Sequence, residues 1–415
     1  MDKRLVRFFS ILCAVVYGAA YLTRQVYAAS LAEIILDLGV TKEAASAAVT
    51  GAFITYGAGQ IFTGFFGDRV SPRGMVMLGL VGTAVCNLLV TLPVGIVFMT
   101  VVWCFNGFFQ AMIWPPLMRS MTEHFSVGEY RTASAMVSAA ATAATVLIYL
   151  IVPGFIRFVN WRGTFYFTAA MGTAMGLLWY IAYPRFPVIR RAEKTGTAAR
   201  KSGSLREVIT GKGIPLIMIA IAMQGILRDG VQTWMPTYLT EQFHMESTSS
   251  ILTTVILPIF STVCIVLSTA LVKRYPNDIF CAVVCFLPAA LASALLVFVP
   301  SGYVVPTVAE MVVVSGCMHG VNIMLTSQVP MRFAASGRVS TLAGLVNAFT
   351  YIGSAVSTYG IAVLSQRFGW NVTLVSWMLV AFIGTGLCLL VLPKWCRFTG
   401  LTVTGRKKSR REEAV

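Results

Sequence analysis

The sequence predicts an all-α polytopic membrane protein with twelve transmembrane helices in two six-helix pseudo-repeats. Three observations predict it. The mean hydropathy is +0.77, with 57% hydrophobic and 12% charged residues, about half the charge of an ordinary soluble domain. Apolar residues come in runs of about 20, the length that crosses a bilayer as a helix. The basic residues are lopsided. Of the 32 Lys and Arg, 26 fall in the termini and alternate loops, four on the opposite side (Lys42, Arg157, Arg162, Arg367) and two within spans (Arg24, Arg228). That asymmetry predicts a multi-pass protein of the plasma (bacterial inner) membrane with both termini cytoplasmic. Anionic headgroups of the lipid bilayer are sufficient partners for the formal charge of +16, and no nucleic acid partner is called for. A monomer is expected.

The spans are predicted near 8–28, 47–67, 74–95, 98–122, 131–156 and 162–184, then 213–240, 248–272, 279–299, 303–331, 337–366 and 371–394. Residues 1–184 form the N-terminal half, 185–212 a basic cytoplasmic linker, 213–396 the C-terminal half and 397–415 a basic cytoplasmic tail. The first span follows Met1-Asp-Lys-Arg without a small-residue cleavage site and is read as retained. The nine cysteines are scattered through spans and read as packing residues, with no disulfide, metal site or cofactor expected. No nucleophile–base pair or phosphate-cradling loop is evident, so an enzyme is not expected.

The first span holds an arginine where lipid is the default surrounding. That placement costs about 2.5–3.5 kcal/mol on the lenient insertion scale, so Arg24 is expected to face protein, water or an anion. Tyr17, Tyr21 and Arg24 lie at i, i+4 and i+7 on one helix face. The seventh span repeats the feature with Arg228, 204 residues later. Two other similarities recur at nearly that offset: the segments around Arg131 and Arg338, and the tryptophans Trp161 and Trp370. Two parallel halves with a site at their interface is a rocking-transporter architecture. The paired guanidiniums offer bidentate forks suited to phosphate or carboxylate. An ion pair between Arg228 and its neighbour Asp229 is disfavoured, because adjacent helix positions point about 100° apart.

Polar stripes mark other spans: Tyr56, Gln60 and Thr63; Ser138, Thr142, Thr145 and Tyr149; Gln224, Arg228 and Gln232; Asn347, Tyr351 and Ser354. Serine and threonine there are expected to bond between helices. Asn106, Gln110 and Trp114 stripe the fourth span beside a Pro115-Pro116 break, which suits a gate. Pro258 and Pro288 are expected to kink their spans. His319 and Asn322 share a face of the tenth span. Asp229, Glu310 and His319 are the intramembrane groups available for proton coupling, with Glu310 on the opposite side of the helix from His319.

Gly64-Phe-Phe-Gly67-Asp68-Arg69-Val-Ser-Pro-Arg73, between the second and third spans, resembles the major facilitator superfamily loop motif, so the major facilitator fold is implied. By that resemblance Gly64, Asp68, Arg69 and Arg73 latch the halves. A fuller resemblance is to the organophosphate:phosphate antiporter family, which includes glycerol-3-phosphate and hexose-phosphate transporters. Tyr17-Gly-Ala-Ala-Tyr21-Leu-Thr-Arg24, Phe109-Gln110-Ala-Met-Ile-Trp114-Pro115-Pro116, Leu227-Arg228-Asp-Gly-Val-Gln-Thr-Trp234-Met-Pro236-Thr-Tyr238-Leu and Tyr351-Ile-Gly-Ser-Ala carry it. The resemblance implies that Arg24 and Arg228 bind a substrate phosphate and that Tyr17, Tyr21 and Tyr351 line its cavity. The chain also departs from the family pattern. Family lysines fall at Gln60 and Gln25, a histidine at Thr142, a tyrosine at Gly225 and another at His319. The arginine pair is kept while the surrounding cations and several phenols give way to neutral polar groups, so the expected substrate is an anion larger or less charged than glycerol phosphate, with phosphate specificity open.

The leading expectation is a secondary active transporter of a small organic anion, most simply a phosphorylated metabolite exchanged for inorganic phosphate by alternating access. The candidate substrate-binding residues are Arg24, Arg228, Tyr17, Tyr21, Gln60, Trp114, Thr142, Gln224, His319, Asn322 and Tyr351. The alternatives are a proton-coupled carboxylate symporter of the same fold, with Asp229 or Glu310 titrating, and a transporter-like ligand sensor.

Overall fold

A computed structural model describes residues 3–66, 70–125, 127–186, 213–298, 303–333 and 339–405. The elements are helical, as a bilayer demands of a backbone that must satisfy its own hydrogen bonds. The first unit contains α1 (Lys3–Leu38), α2 (Lys42–Phe66), α3 (Pro72–Val90), α4 (Ile96–Ala111), α5 (Trp114–His124), α6 (Val127–Phe158) and α7 (Trp161–Ala182). After residues 187–212, which lie outside the described chain together with most of the expected linker, come α8 (Ile214–Phe243), α9 (Ser247–Thr254), α10 (Ile256–Arg274), α11 (Asp278–Phe298), α12 (Val304–Asn322) and α13 (Val339–Thr399).

Ten helices among the described residues are long and apolar enough to cross a membrane; α2 adds a 25-residue helix, and α13 is two spans joined at Gly369. The chain is therefore an integral, multi-pass membrane protein. Large apolar side chains such as Phe105, Val97, Leu267 and Leu390 are exposed along the helices, as lipid-facing residues must be.

The chain forms two compact units, Met1–Gly196 with Met245–Val255, and Thr197–His244 with Ile256–Val415. In the first, α1 packs on α6 and α7, α2 on α4, and α3 on α4 and α7; α9 joins this unit by packing on α6. In the second, α13 packs on α8 and α11, while α12 packs on α8, α10 and α11. The α8–α13 contact is close because small residues face backbone. A Cβ on Gly225 would strike the Thr350 carbonyl, and one on Gly353 the Ala222 carbonyl, the small-residue packing expected of membrane helices.

Helix ends follow local chemistry. Ser71 caps α3, accepting from the Gly74 N–H at 3.2 Å, with Pro72 in the first turn where no N–H is needed. Asn160 caps α7, accepting from the Gly163 N–H. The corresponding corner in the second half is Gly369, at φ 80°, a left-handed conformation that glycine adopts without penalty. The fourth span breaks at Met112 and Ile113, just before Pro115, where the sequence places its gate-like break. The eighth breaks between α9 and α10, ahead of Pro258. Pro288 lies inside α11, which is continuous from Asp278 to Phe298. A wider π turn, Ile323–Gln328, follows α12.

Candidate functional site

The first unit builds its half-site on α1. The Arg24 guanidinium lies 4.6 Å from the Tyr56 ring centroid and 5.7 Å from that of Phe53, both on α2. A cation over aromatic faces keeps part of its solvation away from water. Tyr17 packs its ring against Tyr21 at 5.1 Å and Trp114 at 4.7 Å. These three sequence-selected residues are thus one aromatic cluster, with Trp114 supplied by the start of α5.

The adjoining face of α1 is fixed by amides. Gln110 donates to the Ala20 carbonyl and to Thr23 Oγ1, each at 2.9 Å. Asn87 donates to the Thr23 carbonyl at 3.0 Å and accepts from Thr168 at 3.0 Å. Gln110 and Asn106 are buried and turn toward this rivet, so the fourth-span stripe serves α1 positioning. Gln60, one turn beyond Tyr56, has a buried amide nitrogen without a hydrogen-bond partner. It is a donor available to a ligand.

Thr142 is half-buried and turns its hydroxyl back to the Ser138 carbonyl at 3.3 Å, as Thr145 does to Ala141 at 2.9 Å. The expectation of interhelical bonding does not hold for these two. A threonine hydroxyl reaches the carbonyl four residues back without leaving its own helix. Thr63 fits the expectation, donating to the Ala111 carbonyl.

In the second unit α8 carries Gln224, Arg228 and Asp229. Gln224 is fully buried; it donates to the Met318 carbonyl at 3.0 Å and accepts from Asn322 at 3.5 Å. His319 shares its Nδ1 proton with the Ser315 carbonyl at 2.9 Å. A carbonyl only accepts, so Nδ1 carries the proton of that bond. Tyr351 is half-buried on α13, one turn before Ser354. Glu310 has a buried carboxylate oxygen, Oε2, without a partner.

The expectation for Arg228 and Asp229 is corrected. They form a two-point ion pair, Nε to Oδ1 and Nη2 to Oδ2, both 2.8 Å. Their Cβ atoms do diverge, but the arginine stem is long enough to fold across that angle and bring its fork onto the carboxylate. Ser354 of α13 donates to the same carboxylate.

The loop motif lies partly outside the described residues, namely Asp68, Arg69 and the Gly64 environment. Arg73 is described: its Nε donates to the Tyr180 carbonyl at 2.7 Å and its guanidinium sits 3.8 Å above the Tyr180 ring. It ties α3 to α7 within the first unit.

Sequence reasoning missed several polar contacts. Asp37 accepts from the Trp161 indole at 2.8 Å and Arg162 at 3.1 Å. In the second unit Glu241 accepts from the Trp370 indole at 2.8 Å. The tryptophan repeat was visible; the carboxylates, at the same 204-residue offset as the arginines, were the signal that would have found the pairs. Asp278 with Arg332, at 2.7 Å, left no such signal. Among the described residues no cluster could hold a metal ion.

The architecture is that of a membrane transporter. Solved transporters share it: an inward-facing bacterial homologue of the human lysosomal transporter Spinster superposes with a TM-score of 0.79 over 96% of this chain and 99% of that one, at 12% identity, and a D-xylose-proton symporter with a TM-score of 0.71 over 92% and 97%, at 13% identity. Residues 13–358 match the Major Facilitator Superfamily, and the chain belongs to that superfamily, as a transporter-type protein and not an enzyme.

Its curated relatives agree with the antiporter-family resemblance. The Glycerol-3-phosphate transporter of Bacillus subtilis (strain 168) is 28% identical over 54% of this chain and 55% of its own length. A Probable hexose phosphate transport protein of Chlamydia trachomatis is 22% identical over 94% and 91%. The Membrane sensor protein UhpC of Salmonella typhimurium is 23% identical over 55% and 56%. The chain thus spans about half the length of the first and third of these.

Proposed function

We propose that the protein is a secondary active transporter of a small organic anion, a phosphorylated metabolite exchanged for inorganic phosphate, working by alternating access as a monomer in the bacterial inner membrane with both termini cytoplasmic. The observation that carries this reading is the pair Arg24 and Arg228, 204 residues apart on the first span of each half, each half-buried where a permanent charge is costly. One arginine from each half binds the anion, and Tyr17, Tyr21, Trp114, Gln60, Gln224, His319, Asn322 and Tyr351 supply apolar contact and neutral hydrogen bonds. The names of the relatives in glycerol-3-phosphate and hexose-phosphate transport support the substrate class. Exchange needs no titrating group, because substrate and phosphate neutralise the arginines in turn.

The test is phosphate-loaded proteoliposomes. Uptake of an organophosphate is expected to depend on internal phosphate, and Arg24→Ala or Arg228→Ala to abolish it while the purified protein stays folded. Losing a charge partner of a buried anion costs about 2–5 kcal/mol. Retained uptake in both variants would sink the reading.

A second reading is a ligand sensor of the same fold, favoured by the similarity to the UhpC sensor proteins. Saturable binding with no flux in the same vesicles selects it.

A further inference from the structure

Arg228 is already occupied inside the second unit. Asp229 accepts from its Nε and Nη2, each at 2.8 Å, the two-point geometry with which a guanidinium takes a carboxylate or a phosphate. The two side chains are 15% and 13% exposed, so water screens the pair little and the attraction is strong. The carboxylate is held from a second helix as well. Ser354 of α13 donates to it, and the close Gly225–Thr350 and Gly353–Ala222 approaches fix that helix against α8. Two helices thus set an aspartate onto the fork of an arginine. It presents there what a bound oxyanion presents, two oxygens in one plane and a negative charge.

The contact bears directly on how Arg228 can hold a ligand. A guanidinium cannot lose its proton to escape burial, so it needs an anionic partner whether or not a ligand is present, and Asp229 is one. An anion arriving at Arg228 either takes the fork from that carboxylate or shares the guanidinium beside a like charge. Both courses weaken its binding, the first because a buried ion pair must be separated and the second by repulsion at short range.

We propose that Asp229 is an internal competitor for Arg228, an intramolecular surrogate for the anion that lowers its affinity and speeds its release. This rests on the reading of Arg228 as an anion ligand and adds to it the residue that sets how tightly that arginine holds. Every group involved belongs to the second unit.

The test is thermal-shift titration of the purified full-length protein with inorganic phosphate at one pH and ionic strength, alongside phosphate–phosphate exchange in proteoliposomes. Asp229→Asn is expected to bind phosphate about tenfold more tightly, about 1.4 kcal/mol, and to lower KM and the maximal exchange rate together, because a tighter ligand leaves more slowly. Asp229→Glu keeps the charge and is expected to restore the weaker binding. Equal or weaker phosphate binding in Asp229→Asn overturns the competitor. Where the Asn variant is unstable alone, phosphate in the purification buffer is expected to recover it, since the anion takes the carboxylate's place; a variant that stays unfolded with phosphate present also overturns it. Phosphate binding to neither the wild type nor Asp229→Asn overturns the anion reading beneath.

Discussion

At the scale of single residues, the site is a set of costly charges with specified partners. Arg24 has lost much of its water and lies over the Tyr56 ring at 4.6 Å, an arrangement worth about 0.5–2 kcal/mol. Tyr56→Leu should weaken anion binding by about 2- to 30-fold, while Tyr56→Phe, which keeps the ring face, should stay near wild type; ligand-induced thermal shifts measure both. The arginines themselves were legible because a permanent charge inside an apolar run has few explanations. Their partners were less so. Tyr56 was visible only as a member of a polar stripe, Phe53 not at all, and the Arg228–Asp229 pair ran against a spacing rule that describes Cβ directions and not the reach of a three-methylene stem. Gln60 was selected by its place in the family pattern, and its unpartnered buried nitrogen is a fact of packing that no spacing encodes.

At the scale of elements, the spans were legible from hydropathy and their corners from proline, glycine and tryptophan, because those residues act locally. What holds α1 in place was not. Gln110 was read as part of a gate-side stripe, yet it bonds the Ala20 carbonyl and Thr23. Gln110→Leu should leave Thr23 without that donor and lower stability by about 1–3 kcal/mol, read as a fall in detergent Tm with anion affinity reduced through a misplaced Arg24. The indole–carboxylate pairs are the duplicated counterpart at the ends of the first and last spans of each half. Trp161→Phe and Trp370→Phe retain the ring and delete one charge-assisted hydrogen bond, each expected to cost about 1.5–3 kcal/mol. An unchanged detergent Tm in both variants would contradict that contribution.

At the scale of the whole molecule, duplication and charge asymmetry were both written in the sequence, since each is a count along the chain. The spatial grouping of Met245–Val255 with the first unit was not, because it depends on which helix α9 meets, and α9 packs on α6. That grouping makes a prediction about divisibility. Each unit has its own internal contacts, so cutting the chain in the basic segment between the halves removes no helix. Coexpressed fragments 1–196 and 197–415 should reassemble and recover anion exchange in vesicles. Expressed alone, the second fragment leaves α9 without α6, and the first leaves α6 without α9. Apolar surface and small-residue faces built for protein contact then meet lipid, which packs against them poorly. Each single fragment is therefore expected to be degraded or aggregated, and coexpression to raise the level of both. Stable accumulation of both fragments alone would show that the α6–α9 contact contributes little to either half, and exchange that never returns on coexpression would show that the linker itself is needed to bring the halves together.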